Sequence, residues 1–229
     1  MIRNLFSGDS VSLIYTLLSI PVILIALTTH EWAHGYAAYK MGDPTARNLG
    51  RLTLNPLKHL DLFGTLCMFI AGFGWAKPVP INARRFDNPR RGMAITGLAG
   101  PLANIVLSFI GLLFFEIFSK ILYSSTVFYQ NDFKANLALA LLIFLNLFHY
   151  LNLSLAIFNL IPIPPLDGSR IFYVLLPDKW YFGIMKYEGI IQLILMLALL
   201  TGLLSGPLEF VMGYVSRGMG AVIGLIPGL

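Results

Sequence analysis

The sequence predicts an all-α polytopic membrane protein of about five to six transmembrane helices, with a small membrane-associated β-hairpin or re-entrant segment after the first. Three observations carry that prediction. Of 229 residues, 57% are hydrophobic and 12% charged, roughly half the charged share of an ordinary soluble domain. Several uncharged runs approach or exceed the roughly 20 residues that a helix needs to cross the hydrocarbon of a bilayer. Between the first two of these runs lies an irregular stretch, residues 42–88, rich in glycine, proline, asparagine and basic side chains.

Taken in order, the first apolar run, 11–29, continues helically through two histidines to Lys40, giving a helix of about 11–40. No small-residue cleavage site follows it, so it reads as a retained span rather than a signal peptide. Residues 93–115 carry no charge, and the helix is expected over about 93–118. The third, about 135–161, contains Asn146, His149, Asn152 and Asn159, a polar face expected to point into a bundle rather than at lipid. Two further helices, about 189–204 and 208–227, are shorter or interrupted by glycine, and the second contains Arg217. With no internal repeat or low-complexity linker, residues 1–229 read as a single membrane-embedded domain.

Within 42–88, residues 47–54 alternate briefly and end at Asn55-Pro56, which reads as a strand or hairpin. Residues 63–76 are apolar but too short to span, and read as re-entrant or interfacial. This loop also concentrates the basic residues, among them Lys40, Arg47, Arg51, Lys58, Lys77, Arg84, Arg85, Arg90 and Arg91. The net charge of +5 is therefore an orientation signal, not a sign of a nucleic-acid partner. The positive-inside rule puts the loop in the cytoplasm and the N-terminus outside. The single Cys67 excludes an internal disulfide and a thiolate metal site.

The chemistry is concentrated in His30-Glu31-Trp32-Ala33-His34. On a helix, positions i and i+4 lie about 40° apart and one turn along, so two imidazoles reach one ion from the same face. Neutral imidazole suits Zn²⁺, and Glu31 lies beside the pair, near enough to take a proton from water. Two histidines leave a catalytic zinc one protein ligand short. His59, His149, Glu116, Glu188 and Asp61 are chemically possible; Asp167 is favoured because the first and third spans both run outside to inside, so their inner ends can meet. An N-cap of the short helix after Gly168 is the competing role for Asp167. Asn104, in Gly100-Pro101-Leu102-Ala103-Asn104, can join helices or donate to an oxyanion, and Asn159 carries the same two readings.

These motifs resemble the site-2 proteases, intramembrane zinc metalloproteases. The likeness rests on residues 30–34, on Gly-Asp-Pro-Thr-Ala at 42–46, Gly-Arg-Leu-Thr-Leu-Asn-Pro at 50–56, Gly-Pro-Leu-Ala-Asn at 100–104 and Asn-Leu-Ile-Pro-Ile-Pro-Pro-Leu-Asp-Gly at 159–168. The resemblance implies a three-helix catalytic core and one Zn²⁺ per chain on His30, His34 and Asp167, with Glu31 as general base and acid. It further implies a strand with Gly50, Leu52 and Leu54 that pairs with an unwound substrate. Substrates would be transmembrane helices of other proteins, membrane-tethered regulators or signal-peptide remnants, in a prokaryotic cell membrane with the site toward the cytoplasm. The likeness is to the small branch lacking PDZ and nucleotide-sensing domains, and Ser169 stands where many relatives have a second glycine. A non-proteolytic metal-binding membrane protein, or a scaffold for transmembrane helices, is the alternative expectation.

Overall fold

The computed structural model describes residues 10–71, 74–124, 132–174 and 176–227. Three long helices make its centre: α1 (Ser10–Lys40), α4 (Pro89–Ser124) and α5 (Asp132–Asn159). Each is apolar and long enough to cross a membrane, and each satisfies its backbone internally, as hydrocarbon demands. They pack against one another pairwise. Between α1 and α4 come α2 (Thr45–Asn48) and α3 (Leu62–Ala71). After α5 come α6 (Asp167–Phe172), α7 (Asp178–Met185), α8 (Glu188–Leu200) and α9 (Ser205–Ile223).

The bundle is polar inside and apolar outside. Thr96, Asn104, Ser108 and Asn152 are fully buried, whereas Leu17, Val106, Phe114 and Leu139 are more than half exposed, a distribution suited to lipid. His149 and Asn152 lie on the inner face of α5 as expected, but Asn146 is exposed. Leu153 of α5 meets Met212 and Met219 of α9, with Ile105, Phe109 and Leu112 of α4 packed alongside. Beside this apolar contact His149 joins three helices: Ser108 Oγ of α4 lies 2.8 Å from its Nδ1, and Ser216 Oγ of α9, between Met212 and Met219, lies 2.9 Å from its Nε2.

The structure departs from the expected five to six spans at its C-terminal end. Helix α8 has 13 residues, about 20 Å at 1.5 Å per residue, too short to cross alone. Gly202 takes a left-handed φ of 73°, and α8 and α9 meet at a bend of 80°, passing as a span only as a broken pair.

The expected strand at 47–54 is also corrected: no strand occurs among the described residues. Local hydrogen bonds consume the backbone groups a ladder would need. Asp43 Oδ1 accepts from Thr45 N, starting α2, while Gly50 N donates to Arg47 O and Arg51 N to Ala46 O. Gly50 sits at φ 63°, and Asn55 Oδ1 accepts from Leu57 N to open a 3₁₀ turn. Short polar side chains that offer the backbone nearby partners favour turns over sheets.

The described residues on either side of 72–73 come back together. Leu60 and Ala76 form an isolated antiparallel bridge, so the two ends of the segment meet, and α3 with its ten residues spans only about 15 Å. Gly64 makes the return possible, since a Cβ there would lie 2.2 Å from the Trp75 carbonyl oxygen. The returning chain, 74–82, is pinned to the segment that follows α1. Arg51 donates to the carbonyls of Lys77 and Pro78, Lys77 N donates to His59 O, and Asn82 N donates to the buried Asp43 carboxylate. Burial pushes the Asp43 carboxyl upward, but hydrogen bonds from Asn82 N and Thr45, with the charge of nearby Arg85, outweigh it and hold the group below its ordinary value.

Candidate metal centre

Three long helices and one short one bring the site together. His30 and His34 stand one turn apart on α1, both about 4% exposed, with their rings nearly perpendicular. Asp167 opens α6, which packs against α4, and its carboxylate points at the imidazoles instead of capping its own helix; Leu166 holds the N-cap position. Asp167 Oδ2 lies 3.0 Å from His30 Nε2 and 3.0 Å from His34 Nε2, and the two Nε2 atoms are 3.0 Å apart. Among the described residues this is the one group of three metal-ligating side chains.

The protonation pattern shows why a cation belongs there. His34 Nδ1 lies 2.6 Å from the carbonyl oxygen of Thr96, which can only accept, so Nδ1 carries the proton and Nε2 of the neutral ring is a lone pair. Asn104 settles the other ring. Its amide nitrogen donates to Ala26 O and to Asn152 Oδ1, leaving its oxygen, 2.6 Å from His30 Nδ1, as the acceptor. Two lone pairs and a carboxylate oxygen thus converge at 3.0 Å, an arrangement that must hold either a proton or a metal cation. Burial works against an ionised Asp167, yet hydrogen bonds and charge from the two facing imidazoles, when a proton sits between them, keep its carboxyl well below the usual carboxylate range.

The donor set fits zinc. Tetrahedral ligands at about 2.0–2.1 Å from a zinc ion lie roughly 3.3 Å apart, close to the triangle observed, and the outer hydrogen bonds on both Nδ1 atoms are those that orient imidazole ligands. Asn104 thus holds the His30 ring in place, with both amide hydrogens committed to Ala26 O and Asn152 Oδ1. Its replacement by Ala is expected to weaken zinc binding about 10–100-fold, read by titrating the purified protein against a competing chelator.

Close approach of α4 depends on glycine. A Cβ at Gly100 would lie 2.5 Å from His34 Nε2 and 2.8 Å from His30 Cε1, and one at Gly97 would lie 3.1 Å from the Asp167 carbonyl oxygen. Gly168 is equally constrained, with the Leu160 carbonyl oxygen 2.2 Å from where a Cβ would be.

Glu31 faces the same cavity of about 370 Å³ as the three ligands, and its Oε2 accepts a 2.8 Å hydrogen bond from Val79 N. The cavity is walled by the returning chain 74–81 and by Leu155, Phe158 and Asn159 of α5. Asn159 donates one amide hydrogen to Leu155 O. Gly50, Leu52 and Leu54 do not reach it: Leu54 is 61% exposed, and Leu52 packs beside Gly35. The extended wall is 74–81, whose apolar Pro-Val-Pro sequence gave no periodic signal. The other ligand candidates are placed elsewhere: His59 Nε2 lies 2.8 Å from Thr53 O, His149 binds serines, and Asp61 caps Gly64 N. Thr96, Val79 and Gly97 carry no mark in the sequence reading, and Asn152 is legible there only as part of a polar face. A stripe of small and polar residues at 97, 100, 104, 108 and 111 on an apolar helix was the legible sign of close helix approach.

An apolar helical bundle with a buried His, His, Asp triangle beside a glutamate defines a metallopeptidase architecture, and comparison with known sequences agrees. Residues 18–201 match Peptidase family M50, and the chain belongs to that family, the site-2 protease family. Two similar relatives carry the name "Putative zinc metalloprotease". YwhC of Bacillus subtilis is 44% identical over 155 residues, 68% of this chain and 67% of its own length. Rip2 of Mycolicibacterium smegmatis is 31% identical over 154 residues, 63% of this chain and 52% of its own. The chain thus spans about half the length of the latter. No solved structure matches.

Proposed function

We propose that this protein is an intramembrane zinc endopeptidase that hydrolyses peptide bonds within or near transmembrane segments of other membrane proteins. The observation that carries the reading is the convergence of His30, His34 and Asp167 at 3.0 Å in a cavity shared with Glu31, at the ends of three apolar helices. One Zn²⁺ per chain would sit on His30, His34 and Asp167. When bound, it supplies Lewis-acid polarisation of a carbonyl and makes water acidic enough to attack near neutral pH.

The chain's own residues do the rest. Glu31 takes a proton from the attacking water and returns it to the leaving amine, its carboxylate steadied by Val79 N–H. The cavity narrows against the extended chain 74–81, which would hold a locally unwound substrate backbone. Phe158, Leu155 and Leu27 also line an apolar cleft with Leu199 and Leu208, which offers a transmembrane segment a route from lipid to the site. The basic residues around 40–91 favour a cytoplasmic position for this end of α1, with the N-terminus outside. Membrane-tethered regulators and signal-peptide remnants are the substrate classes that suit such a site, and the bacterial relatives suit a prokaryotic cell membrane.

The test is cleavage of a transmembrane test peptide by the full chain in liposomes. Cleavage is expected, abolished by a zinc chelator and restored by added Zn²⁺. Zinc-loaded protein that binds the peptide but leaves it intact would instead establish the non-proteolytic metal-binding or scaffold reading.

A further inference from the structure

Resting on the proteolytic reading, we infer that Arg170 is a catalytic residue that donates to the substrate carbonyl oxygen as negative charge builds on it. Among the described residues that line the metal cavity, Arg170 is the one lysine or arginine. It stands three residues after Asp167, on the same face of α6, with its side chain 30% exposed and therefore open to the cavity.

The guanidinium is near the site without being consumed by it. Its NH1 lies 3.5 Å from Asp167 Oδ1, longer than a formed N–H···O bond, and Asp167 Oδ2 is the oxygen turned to the histidines. The stem is seated on α4, where Gly97 leaves room: a Cβ there would lie 3.0 Å from Arg170 Cβ and 3.5 Å from its Cδ. A planar cation with five donors, its stem packed on α4 and its head engaged by only one 3.5 Å ion-pair contact with Asp167, is suited to meet an oxygen that acquires charge during reaction.

The other side-chain amides at hand are uncharged and weaker donors: Asn159 has given one hydrogen to Leu155, Gln192 lines the cavity as a neutral amide, and both amide hydrogens of Asn104, behind His30, are committed to Ala26 and Asn152. Hydrolysis consumes one water: its oxygen bonds to the carbonyl carbon, the former carbonyl oxygen gains the charge that Arg170 meets, Glu31 carries the proton to the leaving nitrogen, and the C–N bond breaks to a carboxylate and an amine. Arginine stays protonated throughout the working pH range, so its donation needs no proton transfer.

The experiment compares Arg170→Ala, Arg170→Gln and Arg170→Lys with the unaltered full chain in liposomes, measuring bound zinc, KM and kcat on a transmembrane test peptide. Arg170→Ala and Arg170→Gln are expected to keep their zinc and a KM within a few-fold, while kcat falls about 10²–10³-fold. Guanidinium chloride at millimolar concentration, but not sodium chloride, is expected to restore part of the kcat of Arg170→Ala. Loss of zinc that excess Zn²⁺ makes good, with kcat then normal and no guanidinium effect, would show that Arg170 only braces Asp167. Undiminished kcat in all three variants overturns the assignment alone, whereas unaltered protein that holds zinc and cleaves nothing overturns it together with the proteolytic reading.

Discussion

Replacement of Glu31 by Gln is expected to leave zinc binding at the level of the unaltered protein and to lower kcat by about 10²–10⁴-fold, the range for loss of a positioned general base. The argument is geometric. Glu31 is not part of the His30, His34, Asp167 triangle, so an amide at its place removes no ligand. Its Oε2 accepts from Val79 N, and the carbonyl oxygen of Gln can accept the same bond, so the chain 74–81 keeps its anchor. What Gln lacks is a basic oxygen: it cannot take a proton from water or return one to an amine. Cleavage within tenfold of the unaltered rate, with full zinc, would remove Glu31 from that role.

Replacement of Gly100 by Ala is expected to reduce zinc affinity by more than the roughly 10–100-fold that follows loss of a ligand-orienting group. The added methyl would lie 2.5 Å from the donor atom of His34 and 2.6 Å from its Cε1. The rings have little room to yield, since Thr96 O and Asn104 hold their far nitrogens. The helices must separate or a donor must turn away. Zinc content after dialysis against a weak chelator reads the result. Gly213→Ala on α9, where nothing lies within 4 Å of the new Cβ, is the matched control and should keep its metal.

The three long helices and the His30–His34 pair were legible because their signals are local. Uncharged length declares a membrane helix, and i, i+4 spacing puts His30 and His34 on one face. Asp167 was reachable by a topological argument about which helix ends meet, and the structure brings it to 3.0 Å from both rings. The turn at 47–54 was misread because period-2 alternation does not reveal that Asp43, Gly50 and Asn55 satisfy the backbone locally. The wall at 74–81 carries no periodicity; its place is set by Arg51, His59 and Asp43, residues 18 to 39 positions away whose partners are main-chain atoms that no side-chain pattern announces. The bend between α8 and α9 likewise depends on the φ of Gly202, which composition does not fix. Asn104 was seen as polar, but its function as the acceptor for His30 Nδ1 required knowing that Ala26 and Asn152 claim its amide hydrogens.

Zinc K-edge X-ray absorption on the purified protein tests the central claim most directly. A shell of two imidazole nitrogens and carboxylate or water oxygen at about 2.0–2.2 Å is predicted, with the carboxylate contribution lost in Asp167→Ala while both imidazoles remain. A spectrum without paired imidazole scattering, or one that Asp167→Ala leaves unchanged, would contradict the convergence of these three side chains on one ion.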